Sequence, residues 1–221
     1  MRIAALTLHT RALARQRAFY AETLGLPLLH EDEARFTVAV GTSRLTFELD
    51  PAFDGFYHFA LAIPEHQVSQ ARAWLVERVP LLTDDSGEDL FASEAFASEN
   101  LYFDDAAGNV VEFIARHGLP GGGDAAFGPA SLLHVSEIGL VVPEVPAAVQ
   151  ALREQYGLAP FRAESETFTA VGANTGMFIV VPEGRGWFPI GRPARPAPFT
   201  LSASTGQTSF DFQLEPPAGR R

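Results

Sequence analysis

The sequence contains no cysteine, and that absence removes disulfides, thiolate nucleophiles and thiolate metal ligands together. Any metal site must then be built from histidine and carboxylates, donors that suit hard or borderline divalent ions. Long apolar runs are missing as well: no stretch approaches the roughly 20 residues that span a bilayer. The N-terminal run from Ile3 to Leu8 is too short for a signal-peptide core and leads into His9 and Arg11 without a small-residue cleavage site. A soluble, cytoplasmic chain with no membrane partner is the expectation. Basic charge is scarce too. Acidic residues outnumber basic ones by 27 to 16 and no basic cluster stands out, which disfavours nucleic acid as a partner.

What is present, over 221 residues, is ample core material and an internal repeat. Residues 5–49 match residues 137–181 without a gap, so that Leu8, Glu22, Gly25, Leu26, Phe36 and Thr37 fall on Leu140, Glu154, Gly157, Leu158, Phe168 and Thr169. Within the first unit, Ala4 to Leu8 reads as a strand, and Thr10 is placed to cap a helix carrying Leu13, Tyr20 and Leu24 at helical spacing. Gly25 suits the left-handed position that ends it. Arg35 to Val40 and Leu45 to Leu49 read as two further strands, with a short one near Leu28. Tyr57 to Arg116 repeats that order: a strand to Ile63, a helix marked by Val68, Ala71 and Leu75, an acidic loop from Thr83 to Glu99, a strand at Leu101 to Phe103, a Gly108-Asn109 turn and a last strand from Val110 to Ala115.

Gly118 to Pro129 is the clearest linker, because Gly121-Gly122-Gly123 lies inside it. The expected division is therefore a first half over 1–117 (modules 1–53 and 54–117), a linker over 118–130 and an incomplete second half over 131–221. That second half holds a module at 131–182, a Pro/Arg/Gly-rich stretch without helical period, and remnant strands within 196–215.

Two side chains break the apolar pattern in a way that calls for a chemical reason. Glu112 stands among Val110, Val111, Phe113 and Ile114, and a carboxylate there is costly to desolvate unless a positive group or water meets it. His58 opens the apolar strand at the start of the same module.

These segments resemble the vicinal oxygen chelate superfamily, which includes glyoxalase I, extradiol dioxygenases and bleomycin-binding proteins. The resemblance is carried by Phe103-Asp104-Asp105-Ala106-Ala107-Gly108-Asn109-Val110-Val111-Glu112-Phe113 and, more weakly, by Phe19-Tyr20 with Leu24-Gly25-Leu26. It implies an α+β fold in which repeated βαβββ modules form cupped mixed sheets with helices on the outer face. It also implies a metal held by inward residues of the first and last strands of paired modules. Carried across, the second module supplies His58 and Glu112. The first module has Ala5 at its first-strand position, which cannot bind a metal, and Glu48 by strand alternation on its last, giving His58, Glu112 and Glu48 as metal ligands with Glu112 and Glu48 as catalytic carboxylates. Against this, Glu48 also reads as a solvated carboxylate on an open sheet.

Around this set, His9 shares the face of Ala5 but lies about 13 Å along the strand. It reads as a pocket-lining, substrate-binding residue or as a strand-end residue, rather than as a replacement ligand. Tyr102 reads as a core or rim tyrosine near the substrate, and Arg116, on the face of Glu112, either holds an anionic substrate or simply ends its strand. Glu137, the first-strand position of the third module, is set beside His134 and Ser136 and reads as locally hydrogen-bonded. The segment Glu183 to Trp187 forms either a loop over a pocket or a surface connector.

Three readings of function result. The first is a metalloenzyme in which Zn, Ni, Mn, Co or Fe chelates neighbouring oxygens of a small-molecule substrate, with isomerase, lyase or dioxygenase chemistry. The second is a metal-free protein that sequesters a small molecule, as bleomycin-binding relatives do. The third is a homodimer whose incomplete half finishes its sheet against a second copy.

Overall fold

Each expected module folds as a strand, a helix and two or three further strands. The computed structural model describes residues 1–206 and 208–215 apart from 120, 122 and 124. The first module comprises β1 (Arg2–Thr10), α1 (Leu13–Ala18), β2 (Leu28–Glu31), β3 (Arg35–Val40) and β4 (Ser43–Leu49). The second comprises β5 (His58–Ile63), α2 (Val68–Val76), β6 (Phe91–Ser93), β7 (Ser98–Asp104) and β8 (Val110–Arg116). The third has β9 (His134–Val142), α3 (Val145–Tyr156), β10 (Thr169–Ala173) and β11 (Gly176–Pro182). A strap carrying β12 (Gly186–Trp187) and β13 (Arg192–Pro193) leads to β14 (Phe199–Thr205) and β15 (Thr208–Leu214).

Two details differ from the sequence reading. Thr10 ends β1 rather than capping α1: its hydroxyl accepts from the Ala12 amide at 3.1 Å, a local turn, and α1 has no side-chain cap. The acidic loop contains β6, which pairs with β7 from Phe91 to Ser93. Charged and small residues around so short a strand conceal its alternation.

How the modules pair follows from their edges. In each module the first strand lies parallel to the last, as β1 with β4, β5 with β8 and β9 with β11, which leaves one edge of each first strand open. Those edges cover one another. β5 pairs antiparallel with β9, and β1 pairs antiparallel with β14. The result is a seven-stranded sheet ordered β10-β11-β9-β5-β8-β7-β6 and a six-stranded sheet ordered β15-β14-β1-β4-β3-β2. The sheets thus cross the division expected at the linker. Modules 54–117 and 131–182 share one cup, and module 1–53 shares the other with the remnant strands.

Burial separates the two cups. Every residue of β5 and of β8 is buried, whereas β4 alternates between buried and accessible residues. One face of the seven-stranded sheet joins the main core, where Phe59, Phe113 and Phe178 meet Phe36 and Phe47 of the other sheet. Each of these side chains is fully buried and contributes roughly 1.5–3 kcal/mol. The opposite, cupped face carries a second cluster of Val141, Met177, Ile179, Val181 and Trp187. Among the described residues, this is the cup whose first and last strands are buried on both faces. No helix among the described residues is long and apolar enough to cross a membrane.

Candidate metal centre

The turn between β7 and β8 fixes the position of His58. Asp105 accepts from Gln16 Nε2 at 2.7 Å, the Tyr20 hydroxyl at 2.8 Å and Asn109 Nδ2 at 2.7 Å, so the turn is tied to the first module's helical segment. Asn109 Oδ1 in turn accepts from the Tyr57 amide at 2.9 Å, and the Val110 amide donates to the Tyr57 carbonyl at 2.8 Å. The motif that carries the family resemblance therefore holds the entrance of β5 in register.

His58 stands beside Val110 in that register, and its Nδ1 lies 3.1 Å from the Val110 carbonyl. A carbonyl can only accept, so Nδ1 carries the proton and the Nε2 lone pair is bare. Nε2 faces Glu112 Oε2 at 3.5 Å, and the Trp187 ring lies 4.6 Å from the imidazole. Burial lowers the His58 pKa to about 4, opposed by the hydrogen bond to Val110 and reinforced by the charge of Arg185. The imidazole is neutral at pH 7, as a ligand must be.

Glu112 and Glu137 approach from opposite sides. In β8 the former pairs with Ala60 of β5, and in β9 the latter pairs with the same Ala60. A single methyl group therefore separates the two carboxylates at the floor of the cup. A register shift between Ala60 and Leu61 in the β5–β9 ladder places Ser136 in a bulge and sets the aim of Glu137, a common use of bulges beside active sites. Arg116 forms an ion pair with Glu137, and only 1% of its side chain is accessible. Burial, then the charge of Glu137, pushes Glu112 well above the usual carboxylate range, against the pull of Arg116 and Tyr102. Glu137 is raised by burial and drawn down by Arg116.

The donor set fits a divalent ion. One donor atom from each of His58, Glu112 and Glu137 lies within 4.8 Å of the others. Ligands of one tetrahedral ion at roughly 2.0–2.2 Å stand about 3.3–3.6 Å apart, so shifts of about 1 Å close the set. Charge argues the same way. Two buried carboxylates face one buried guanidinium, and the remaining negative charge calls for a cation or a proton. Asn100 Oδ1 and Arg116 Nη1 are also buried without a hydrogen-bond partner.

A cavity of about 270 Å³ opens above these groups. Tyr102 and Asn100 line one wall, Phe91, Phe96 and Phe168 line the sides, and Arg185, Trp187 and Phe188 come from the strap. The strap is held by Arg192, whose Nη1 and Nη2 donate to the two oxygens of Asp104 at 2.9 and 2.8 Å. Trp187 is buried, so the segment from Glu183 to Trp187 lies over the pocket.

Of the residues singled out in the sequence, His58, Glu112, Tyr102 and Arg116 are brought together here. Arg116 is buried against Glu137 rather than ending its strand at the surface. Glu48 and His9 are not part of this group. They are register partners in the other sheet, and Glu48 Oε1 lies 3.7 Å from Arg35 Nη1 with both side chains well exposed. Strand alternation assigned Glu48 to a cupped face, but that cup is shared with β14 and not with β5. Glu137 takes the remaining place. Its signal, a carboxylate heading an apolar strand, is the one that marked Glu112.

The fold is shared with solved structures. A Bacillus subtilis subsp. subtilis str. 168 protein provisionally named a dioxygenase superposes with a TM-score of 0.61 at 17% identity, over 82% of this chain and 63% of that one. Glyoxalase I from Zea mays superposes with a TM-score of 0.56 at 15% identity, over 82% of this chain and 66% of that one. The chain covers less than two thirds of the length of either. No family model matches the chain, and neither does any protein of curated function. The chain shares the fold of these two solved proteins.

Proposed function

We propose that the chain is a metal-dependent enzyme acting on a small molecule, with His58, Glu112 and Glu137 as the ligands of one divalent ion. The observation that carries this reading is a bare imidazole nitrogen and two carboxylates converging within 4.8 Å at the floor of a closed cup. A divalent ion held by these residues would supply Lewis acidity that stabilises negative charge developing on a substrate oxygen. The protein groups divide the remaining work. Arg116 pins Glu137 in place, while Glu112, which lies beside Tyr102 and is not paired with Arg116, is the carboxylate left to accept a proton. Tyr102 lies beside Glu112 in register, and Trp187 and the phenylalanines keep bulk water out. One imidazole with two carboxylates departs from the two-His, one-carboxylate set of non-haem iron oxygenases, which favours isomerase or lyase chemistry over dioxygenation.

A metal-free binding protein is the second reading, favoured by the Arg116–Glu137 pair: a cation already stands in the site, and a proton on Glu112 would complete the charge balance. Elemental analysis after reloading with Mn, Fe(II), Ni, Co or Zn separates the two. We expect near one ion per chain, lost in His58→Ala and Glu137→Gln and retained in Glu48→Gln. No uptake under any loading would leave only the binding reading.

A further inference from the structure

Arg185 is a guanidinium in a place that needs an explanation. It lines the rim of the same cavity, half buried, with its Cζ 4.8 Å from the centroid of the Phe168 ring. Its Nη1 donates to the Gly186 carbonyl at 3.2 Å, a neutral acceptor. Burial lowers its pKa, and its charge is felt at His58. A partly desolvated cation facing a cavity gains most from an anion entering that cavity.

The walls restrict what the rest of such a ligand is. Phe91 packs edge-on against Phe188 at 4.7 Å and Tyr102 at 5.8 Å, and Phe96 packs against Phe168 at 6.1 Å. A cavity of about 270 Å³ lined by so many aromatic rings suits a compact, flat, apolar body. Without a metal ion the two carboxylates at the floor outnumber the one guanidinium and repel a further negative charge, so the anionic end belongs at the rim. A dianion would require a second cation there, and the rim has one arginine lining the cavity among the described residues.

We propose that Arg185 is the specificity-determining residue of the cup and that the substrate is a small aromatic monocarboxylate, bound with its carboxylate on Arg185 and its ring between the phenylalanines. This inference rests on the proposed function for what happens at the floor, but not for the anion at the rim. The planar fork of arginine matches a carboxylate with two parallel hydrogen bonds, which a neutral amide cannot reproduce.

The test uses phenylacetate and its neutral isostere phenylacetamide, titrated against the full chain in a Trp74→Phe background so that Trp187 is the reporter. Both chelated and Zn-reloaded protein are measured. We expect phenylacetate to bind at least about tenfold more tightly than phenylacetamide, the range of a charge-assisted hydrogen bond. Arg185→Gln should remove the preference in both forms, and Arg185→Lys should keep part of it. Should Arg185→Gln lose its far-ultraviolet circular dichroism, the salt dependence of phenylacetate binding to unsubstituted Arg185 protein decides instead, because binding to a rim cation weakens with ionic strength. Equal affinity for acid and amide, binding of neither at millimolar concentration, or salt-independent binding would overturn the proposal. A preference that survives Arg185→Gln but vanishes on chelation would also overturn it, by placing the anion on the metal. Failure of metal uptake with the Arg185 preference intact would instead sink the metalloenzyme reading alone.

Discussion

His58 shows how one buried side chain couples the site to stability. Its pKa falls from the ordinary 6.5 to about 4 in the folded chain, so between those values the unfolded state binds the proton and the folded state does not. The stabilisation from holding the imidazole neutral is complete above pH 6.5 and is lost as pH falls toward 4, by roughly 3 kcal/mol at most. His134, lowered to about 4 by burial and by the charges of Arg2 and Arg116, acts in the same sense. Glu112 and Glu137 act oppositely, because carboxylates with raised pKa values contribute stability at acid pH that is lost as pH rises through those values. A difference measurement isolates the imidazole. Urea unfolding of chelated protein should show the stability advantage over His58→Gln shrinking by that amount from pH 7 to pH 4. An advantage unchanged over that range would mean that the imidazole is not held neutral.

The same scale explains what the sequence could disclose about the site. Glu112 and His58 are legible because polar side chains in fully apolar strands carry a desolvation cost that something must meet. Glu137 has that signature too, but His134 and Ser136 offered a nearer explanation, and only the bulge in β9 turns its carboxylate toward Ala60. Alternation puts Glu48 on a face correctly. It carries no information on which strand lies across the cup.

Among the elements, the strap is the one that closes the site and the one with the weakest sequence signal, since Pro182 to Pro198 has no periodicity. Its position depends on a notch and a latch. The notch is Gly139, where an added Cβ would lie 2.8 Å from two carbons of the Trp187 ring and 3.2 Å from the His58 carbonyl oxygen. The latch is Arg192, whose guanidinium reaches both Asp104 oxygens and also the Gly108 carbonyl at 2.7 Å. Gly139→Ala should therefore displace Trp187 from His58 and cost about 1–3 kcal/mol by overpacking. Arg192→Gln, at a partly exposed pair, should cost only about 1 kcal/mol in global stability while loosening the strap. In a Trp74→Phe background, acrylamide quenching of Trp187 should rise in both variants. Quenching equal to that of the parent in Arg192→Gln would mean that the strap is held by burial of Trp187 alone.

At the scale of the molecule, what sequence order hides is which edges meet. The repeat locates the modules and alternation locates their strands, but a first strand with one open edge accepts any partner of suitable length, and the choice is made by contacts far apart in the chain. The Gly41 turn shows this. An added Cβ at Gly41 would lie 2.1 Å from the Leu133 carbonyl oxygen, so the first module's β3–β4 turn is fitted against the backbone leading into β9. Ser43 Oγ donates to the Ile3 carbonyl at 2.6 Å and accepts from the Val135 amide at 3.0 Å, tying both sheets together across the linker. Residues 1–117 alone would expose the edges of β1 and β5, and residues 131–221 alone would expose those of β9 and β14. Each half separately should aggregate or remain unfolded, whereas co-expressed halves should assemble one to one and recover metal uptake, because His58 and Glu112 lie in one fragment and Glu137 in the other. A soluble fragment 1–117 with a cooperative urea transition of its own would show that the first two modules form a self-sufficient unit. The cup built across β5 and β9 would then be an interface between two domains rather than the centre of one.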